Sequence, residues 1–349
     1  MAIDYILFLH GVDVRSGDYA DTLIGLIKSE IPDSSSSLVT IPVYYGDLSD
    51  QQEARLLDTY EQAPIWSGLW FPHLRTEKML RFAGDAALYL SRYTGGAIAD
   101  RIWAKAKHAL SSAQPDDHLH LITHSLGTVI LFDMLFSTRW DAPPSLPGYW
   151  SVQALRDALY GISGASQNPY VGIQLGSVTT MGSPIGIFSL VDVNKSTDEV
   201  RDASSNPLAS HDITPRLQVM LDYLRARMGG ENLLWRNYLH PGDPIGSPLK
   251  ILLPELLGYQ GRYLDVDDIL VPADLGEILA EPYPDNLVDL LGELFGPSDA
   301  SILASIDAHS SYWHSRKVAR DIANTILESR LRVIRGQVRT FLGLLGATG

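Results

Sequence analysis

Ser125 lies in the run H-L-H-L-I-T-H-S-L-G-T-V-I-L-F-D, residues 118–133. Up to His124 the run alternates polar and apolar residues, as a strand does. Beyond it, Leu126, Val129, Ile130, Leu131 and Met134 follow helical spacing. A serine in a sharp turn between a strand and a helix has its hydroxyl lifted clear of its neighbours. The helix starting behind it offers free backbone N–H groups and the positive end of a dipole. Those conditions suit a nucleophile beside an oxyanion site. Gly127 stands two residues on, and Thr123 stands two before, where the G-x-S-x-G pattern has glycine. The threonine makes the turn more crowded. The plainer alternative is a serine that only caps the helix.

A serine hydroxyl needs a base to take its proton, and the base needs an acid to fix its tautomer. Asp243, in the turn H-P-G-D-P-I-G, is the first candidate acid, with Asp192, Asp265 and Asp267 as competitors. His309, in D-A-H-S-S-Y-W, is the first candidate base, with His314 and His240 as competitors. The order Ser125, Asp243, His309 is that of an α/β-hydrolase triad. The oxyanion needs two N–H donors. Leu126 supplies one. The other falls in His10-Gly11-Val12, with Val12 preferred and Gly11 second, since glycine permits a turn that a side chain blocks.

These residues need elements to hold them. Runs at 3–9, 38–45, 118–124, 171–181, 233–239 and 259–264 read as strands, the second placed near an edge by Pro42. Helical patterns at 18–29, 51–61, 76–93, 97–110, 126–137, 151–160, 213–228 and 315–331 separate them, with Gly95-Gly96 as a break. Strands alternating with helices predict a mostly parallel sheet with helices on both faces, one domain over 1–349. Segments 46–112 and 140–170 are long for simple connections and read as helical insertions forming a cap. Trp66, Trp70 and Phe71 in the first either face a substrate or fill a satellite core.

Composition sets outer bounds. The chain has 349 residues, 45% of them hydrophobic and 19% charged, enough for a sizeable core. A net charge of -14 argues against nucleic acid as a partner. The absence of cysteine excludes disulfides, thiolate metal sites and a cysteine nucleophile. No signal peptide or apolar run of membrane-spanning length is read, which predicts a soluble, cytoplasmic protein.

Taken in order, F-L-H-G-V-D, T-H-S-L-G-T, T-M-G-S-P-I, H-P-G-D-P-I and D-A-H-S-S-Y-W resemble bacterial α/β-hydrolases of the serine esterase and lipase type. The likeness covers residues 3 to about 331. It implies the α/β-hydrolase fold, a small-molecule ester substrate, an acyl-enzyme intermediate, no cofactor, and His10-Gly11-Val12 with Leu126 around the oxyanion; His10 and His124 are also candidate substrate-binding residues. A lipid acyltransferase or phospholipase with the same triad, or a non-catalytic binding protein on the same fold, remain the alternatives.

Other clusters read as background. His118 and His120 alternate on one strand face, but no carboxylate in a fixed pattern accompanies them, so no metal is expected. The stretch D-V-D-D, residues 265–268, lacks the glycine and distal glutamate of a calcium loop and reads as surface acidity. No phosphate-binding glycine motif occurs. From Arg316 onward seven basic residues face two acidic ones, with apolar residues between. That helical extension, 331–349, docks on its own acidic domain or a second subunit more readily than on a membrane. The oligomeric state is not legible.

Overall fold

The computed structural model describes residues 2–32, 37–66, 81–114, 117–141, 144–160, 173–188, 213–214, 216–257, 263–271 and 308–346. Six strands form one all-parallel sheet: β1 (Asp4–Leu9), β2 (Leu38–Val43), β3 (His118–His124), β4 (Gln174–Met181), β5 (Leu233–Leu239) and β6 (Leu264–Leu270). Their order is β2-β1-β3-β4-β5-β6. From β1 the chain moves outward to β2 and then returns to place β3 on the other side of β1. The switch point therefore lies between the carboxyl ends of β1 and β3, where open parallel sheets bind ligands.

Ten helices accompany the sheet among the described residues: α1 (Asp21–Glu30), α2 (Asp47–Glu61), α3 (Arg81–Leu90), α4 (Arg92–Ala109), α5 (Leu126–Phe136), α6 (Tyr149–Tyr160), α7 (Ile185–Phe188), α8 (Leu217–Arg227), α9 (Leu252–Leu256) and α10 (Arg316–Gly346). Strand alternation feeds two cores. Tyr5, Leu7 and Leu9 point into a large core with α4, α5, α6 and α8. Ile6 and Phe8 point the other way, against Leu23 and Ile27 of α1 and Val318, Ile322 and Ile326 of α10. Every residue of α5 is buried, so burial extends beyond the apolar positions that follow helical spacing.

Several expectations are corrected. Gly95 and Gly96 lie inside α4, packed against Arg139 and Pro147, and do not break it. Within segments 46–112 and 140–170, α4 and α6 bury Ile98, Ile102, Val152 and Leu155 in the sheet's own core. They form its helix layer. The sixth strand begins at Leu264 instead of ending there, so D-V-D-D is strand. Its carboxylates are tolerated on this edge because Asp265 meets Arg332 at 2.7 Å, Asp267 meets Lys250 at 2.8 Å, and Asp268 accepts from Asn237 at 2.7 Å.

His118 and His120 do have a carboxylate partner, supplied by β1. Asp4 is fully buried, 3.5 Å from His118 Nδ1 and 3.2 Å from His120 Nε2. Arg330 of α10 completes the cluster, its Nε donating to Asp4 Oδ2 at 2.6 Å. The guanidinium takes the place a cation would fill. Among the described residues no group of three or more His, Cys, Asp or Glu is placed to hold a metal. Burial alone would raise the Asp4 carboxyl, but the nearby His118 ring and the bonds from His120 and Arg330 hold it well below the ordinary range.

Arg330 thus fastens the C-terminal helix to the sheet. Arg330→Ala is expected to cost about 3 kcal/mol in chemical denaturation near neutral pH, because it strands a buried charge. Asp4 has a depressed folded pKa, so its contribution is complete above the ordinary carboxylate range and is lost as pH falls below it. The difference between wild type and variant should shrink in acid. Among the described residues, no helix is long and apolar enough to cross a membrane.

Candidate active site

Ser125 joins β3 to α5 with φ 53° and ψ −129°. A non-glycine residue in that region carries backbone strain, which persists only where its surroundings over-determine it. Here they do. The Ser125 N–H donates to the Met181 carbonyl at 3.0 Å, and its carbonyl accepts from Thr128 N–H at 2.9 Å and Thr128 Oγ1 at 2.7 Å. Thr123 fits the elbow because its hydroxyl donates to the Thr179 carbonyl at 3.1 Å.

The turn after β1 presses against the elbow. A Cβ on Gly11 would collide with Ser125 Cβ and lie 2.8 Å from its Oγ. A Cβ on Gly127 would collide with the His10 carbonyl and lie 2.9 Å from that of Leu9. Both glycines are thus required by close approach. Among the described residues, no hydrogen-bond acceptor meets the N–H of Val12 or of Leu126. Two unused backbone donors therefore flank the serine.

Asp243 and His309 come together at the same sheet edge. His309 Nδ1 lies 3.0 Å from Asp243 Oδ1, and both residues are buried. A Cβ on Gly182, directly after the Met181 that holds Ser125, would lie 2.7 Å from Asp243 Oδ2 and 3.0 Å from His309 Nδ1. His309 Nε2 is buried and has no hydrogen-bond partner among the described residues. Asp243 Oδ1 also accepts from Ile245 N–H at 2.9 Å, and Oδ2 accepts from Tyr312 Oη at 2.7 Å. Burial alone would raise the Asp243 carboxyl, but the bonds from His309, Tyr312 and Ile245 hold it below its usual range.

Tyr312 was not singled out in the sequence. Its hydroxyl donates to Asp243 and accepts from His240 N–H at 2.8 Å, so it locks the acid to the strand end. The available signal was its spacing: three residues after His309, on the helical turn that begins there.

His124 stands beside the base. Its Nε2 donates to the His309 carbonyl at 2.6 Å, and the two rings lie 4.6 Å apart. Burial, with His309 adjacent, pushes its pKa down to about 3, so it stays neutral while holding the His309 loop. His10 donates from Nδ1 to the Gly11 carbonyl at 2.7 Å and accepts from Tyr45 N–H at Nε2, 3.1 Å. Burial pushes its pKa down to about 4. Both its ring nitrogens are committed within the fold, its ring stacks on Tyr45 at 3.9 Å, and it is among the residues lining a small cavity. Trp66 stacks on Tyr60 at 5.3 Å. Trp70, Phe71 and Asp192 lie outside the described residues.

The remaining competitors are occupied elsewhere. Asp265 and Asp267 sit on β6 in the ion pairs described above. His240 Nδ1 accepts from Gly242 N–H at 3.0 Å, and His314 is exposed. A larger, open depression of about 370 Å³ lies at the opposite end of β5 and β6, lined by Glu231, Asn232, Asp265 and Arg332. It contains no serine or histidine among those residues.

No protein family matches the chain, and no curated protein matches it.

Proposed function

We propose that this protein is a serine carboxylic-ester hydrolase of the α/β-hydrolase type, with Ser125 as nucleophile, His309 as base and Asp243 as orienting acid. The observation that carries the reading is the 3.0 Å bond between His309 Nδ1 and Asp243 Oδ1, at the sheet edge where the strained Ser125 elbow stands. That bond keeps the proton on Nδ1 and leaves the Nε2 lone pair for a serine hydroxyl.

His309 takes the Ser125 proton as Oγ bonds to the ester carbonyl carbon. The oxygen that gains the electron pair is held by the N–H groups of Val12 and Leu126. Collapse breaks the bond to the alkoxy group, which leaves with the proton from His309. A water then gives its proton to His309 and attacks the acyl-serine. The second collapse releases the carboxylic acid and returns the proton to Oγ. No cofactor enters these steps. Stoichiometric, time-dependent inactivation by a fluorophosphonate tests the reading, and a protein inert to such a probe would overturn it.

A further inference from the structure

A cavity of about 20 Å³ opens beside Gly11, which presses on Ser125, and Leu126, which follows it in the chain. Leu48, Leu88 and Ile98 supply apolar wall, from α2, α3 and α4 respectively, and Ser49 and Asp85 close it with polar atoms. Asp85 is already engaged. Its Oδ2 accepts from Asp13 N–H at 2.8 Å, and its Oδ1 accepts from the Ser49 hydroxyl. Asp13 is itself held at φ 58°, directly after Val12.

We propose that this cavity is the acyl pocket and that it admits only short, uncharged acyl groups, acetyl or propionyl. The inference rests on the ester-hydrolase reading of Ser125. The cavity is lined by Gly11, which presses on Ser125, and by Leu126, which follows it in the chain, so it is the described space nearest to an acyl group carried on the serine. A volume of about 20 Å³ holds about one water molecule, which is near the size of a methyl group. Longer chains must displace Ile98, which is buried in the main core, or Leu48, which packs against it.

Charge adds a second filter. Behind Asp85 stand Glu53 and Asp50, with Arg15 as the cation among them, 2.6 Å from Glu53 and 3.0 Å from Asp50. Three carboxyl groups around one guanidinium disfavour an acyl chain that ends in a carboxylate.

The test is a series of 4-nitrophenyl esters: acetate, propionate, butyrate, octanoate and hemisuccinate. Acetate or propionate should give the highest kcat/KM, with octanoate and hemisuccinate each lower by tenfold or more, about the scale of discrimination an apolar pocket achieves. Ile98→Ala should raise the octanoate-to-acetate ratio about tenfold, and Leu88→Ala should move it the same way. A ratio is unaffected by partial loss of folded protein. A wild type that prefers octanoate, or ratios unmoved in both variants, overturns the pocket while leaving Ser125 as nucleophile. Hydrolysis of none of the esters overturns the reading on which the pocket rests, and the pocket with it.

Discussion

Ser125→Ala is expected to lower the turnover of 4-nitrophenyl acetate by a factor on the order of 10⁶, the scale seen when a triad nucleophile is removed. The expectation follows from a division of labour at the elbow. The hydrogen bonds that hold residue 125 run through its backbone, to Met181 and Thr128, so alanine keeps them. Its Cβ also occupies the same place against Gly11. The hydroxyl proposed as the nucleophile is the only group lost. Thermal denaturation should therefore show a variant close to wild type while activity disappears. Retained turnover would mean that another residue does the chemistry. A collapse in stability would mean that the elbow is chiefly structural.

Asp243→Asn should lower kcat by about 10⁴, the loss found when a triad acid becomes its amide. The size of the effect reflects how completely the carboxylate is used. It accepts from His309, Ile245 and Tyr312. An amide at this site must either turn its NH₂ toward His309 Nδ1, which drives the imidazole into the wrong tautomer, or toward Tyr312, which disrupts the hydroxyl that links it to His240. In either orientation the negative charge that stabilises the imidazolium is gone. Steady-state kinetics of the purified variant measure it. A near-normal Asp243→Asn variant beside a crippled Asp192→Asn variant would transfer the acid to Asp192.

The site was legible in the sequence to the extent that it is local. H-S-L-G between a period-two run and a helical run gives the elbow, and H-G at the end of the first strand gives the loop that meets it. Asp243 and His309 followed from chain order, because a base and acid must come from loops at the same sheet edge. What stayed hidden depends on partners far away in the chain. Asp265, Asp267 and Asp268 read as surface acidity and are half-buried at the surface, but nothing local shows that they lie on a strand beside Arg332, Lys250 and Asn237. Asp4 and Arg330 are separated by almost the whole chain, yet together they bury a charge cluster under α10. Gly95 and Gly96 look like a helix break, whereas packing against Arg139 and Pro147 is what requires them to be small. His10 and His124 resemble substrate contacts by position alone. Their hydrogen bonds to Gly11, Tyr45 and the His309 carbonyl, made with residues distant in the chain or with the backbone, add a supporting role that position does not reveal.

We propose Ser125 as an activated nucleophile. A fluorophosphonate reports activation directly, because it phosphonylates a serine only where a base removes the proton and donors hold the developing oxyanion. Wild-type protein treated with such a probe should gain one adduct by intact mass, and peptide mapping should place it on Ser125. The Ser125→Ala variant should gain none. No adduct on the folded wild type, or an adduct carried on a different serine, would contradict the account.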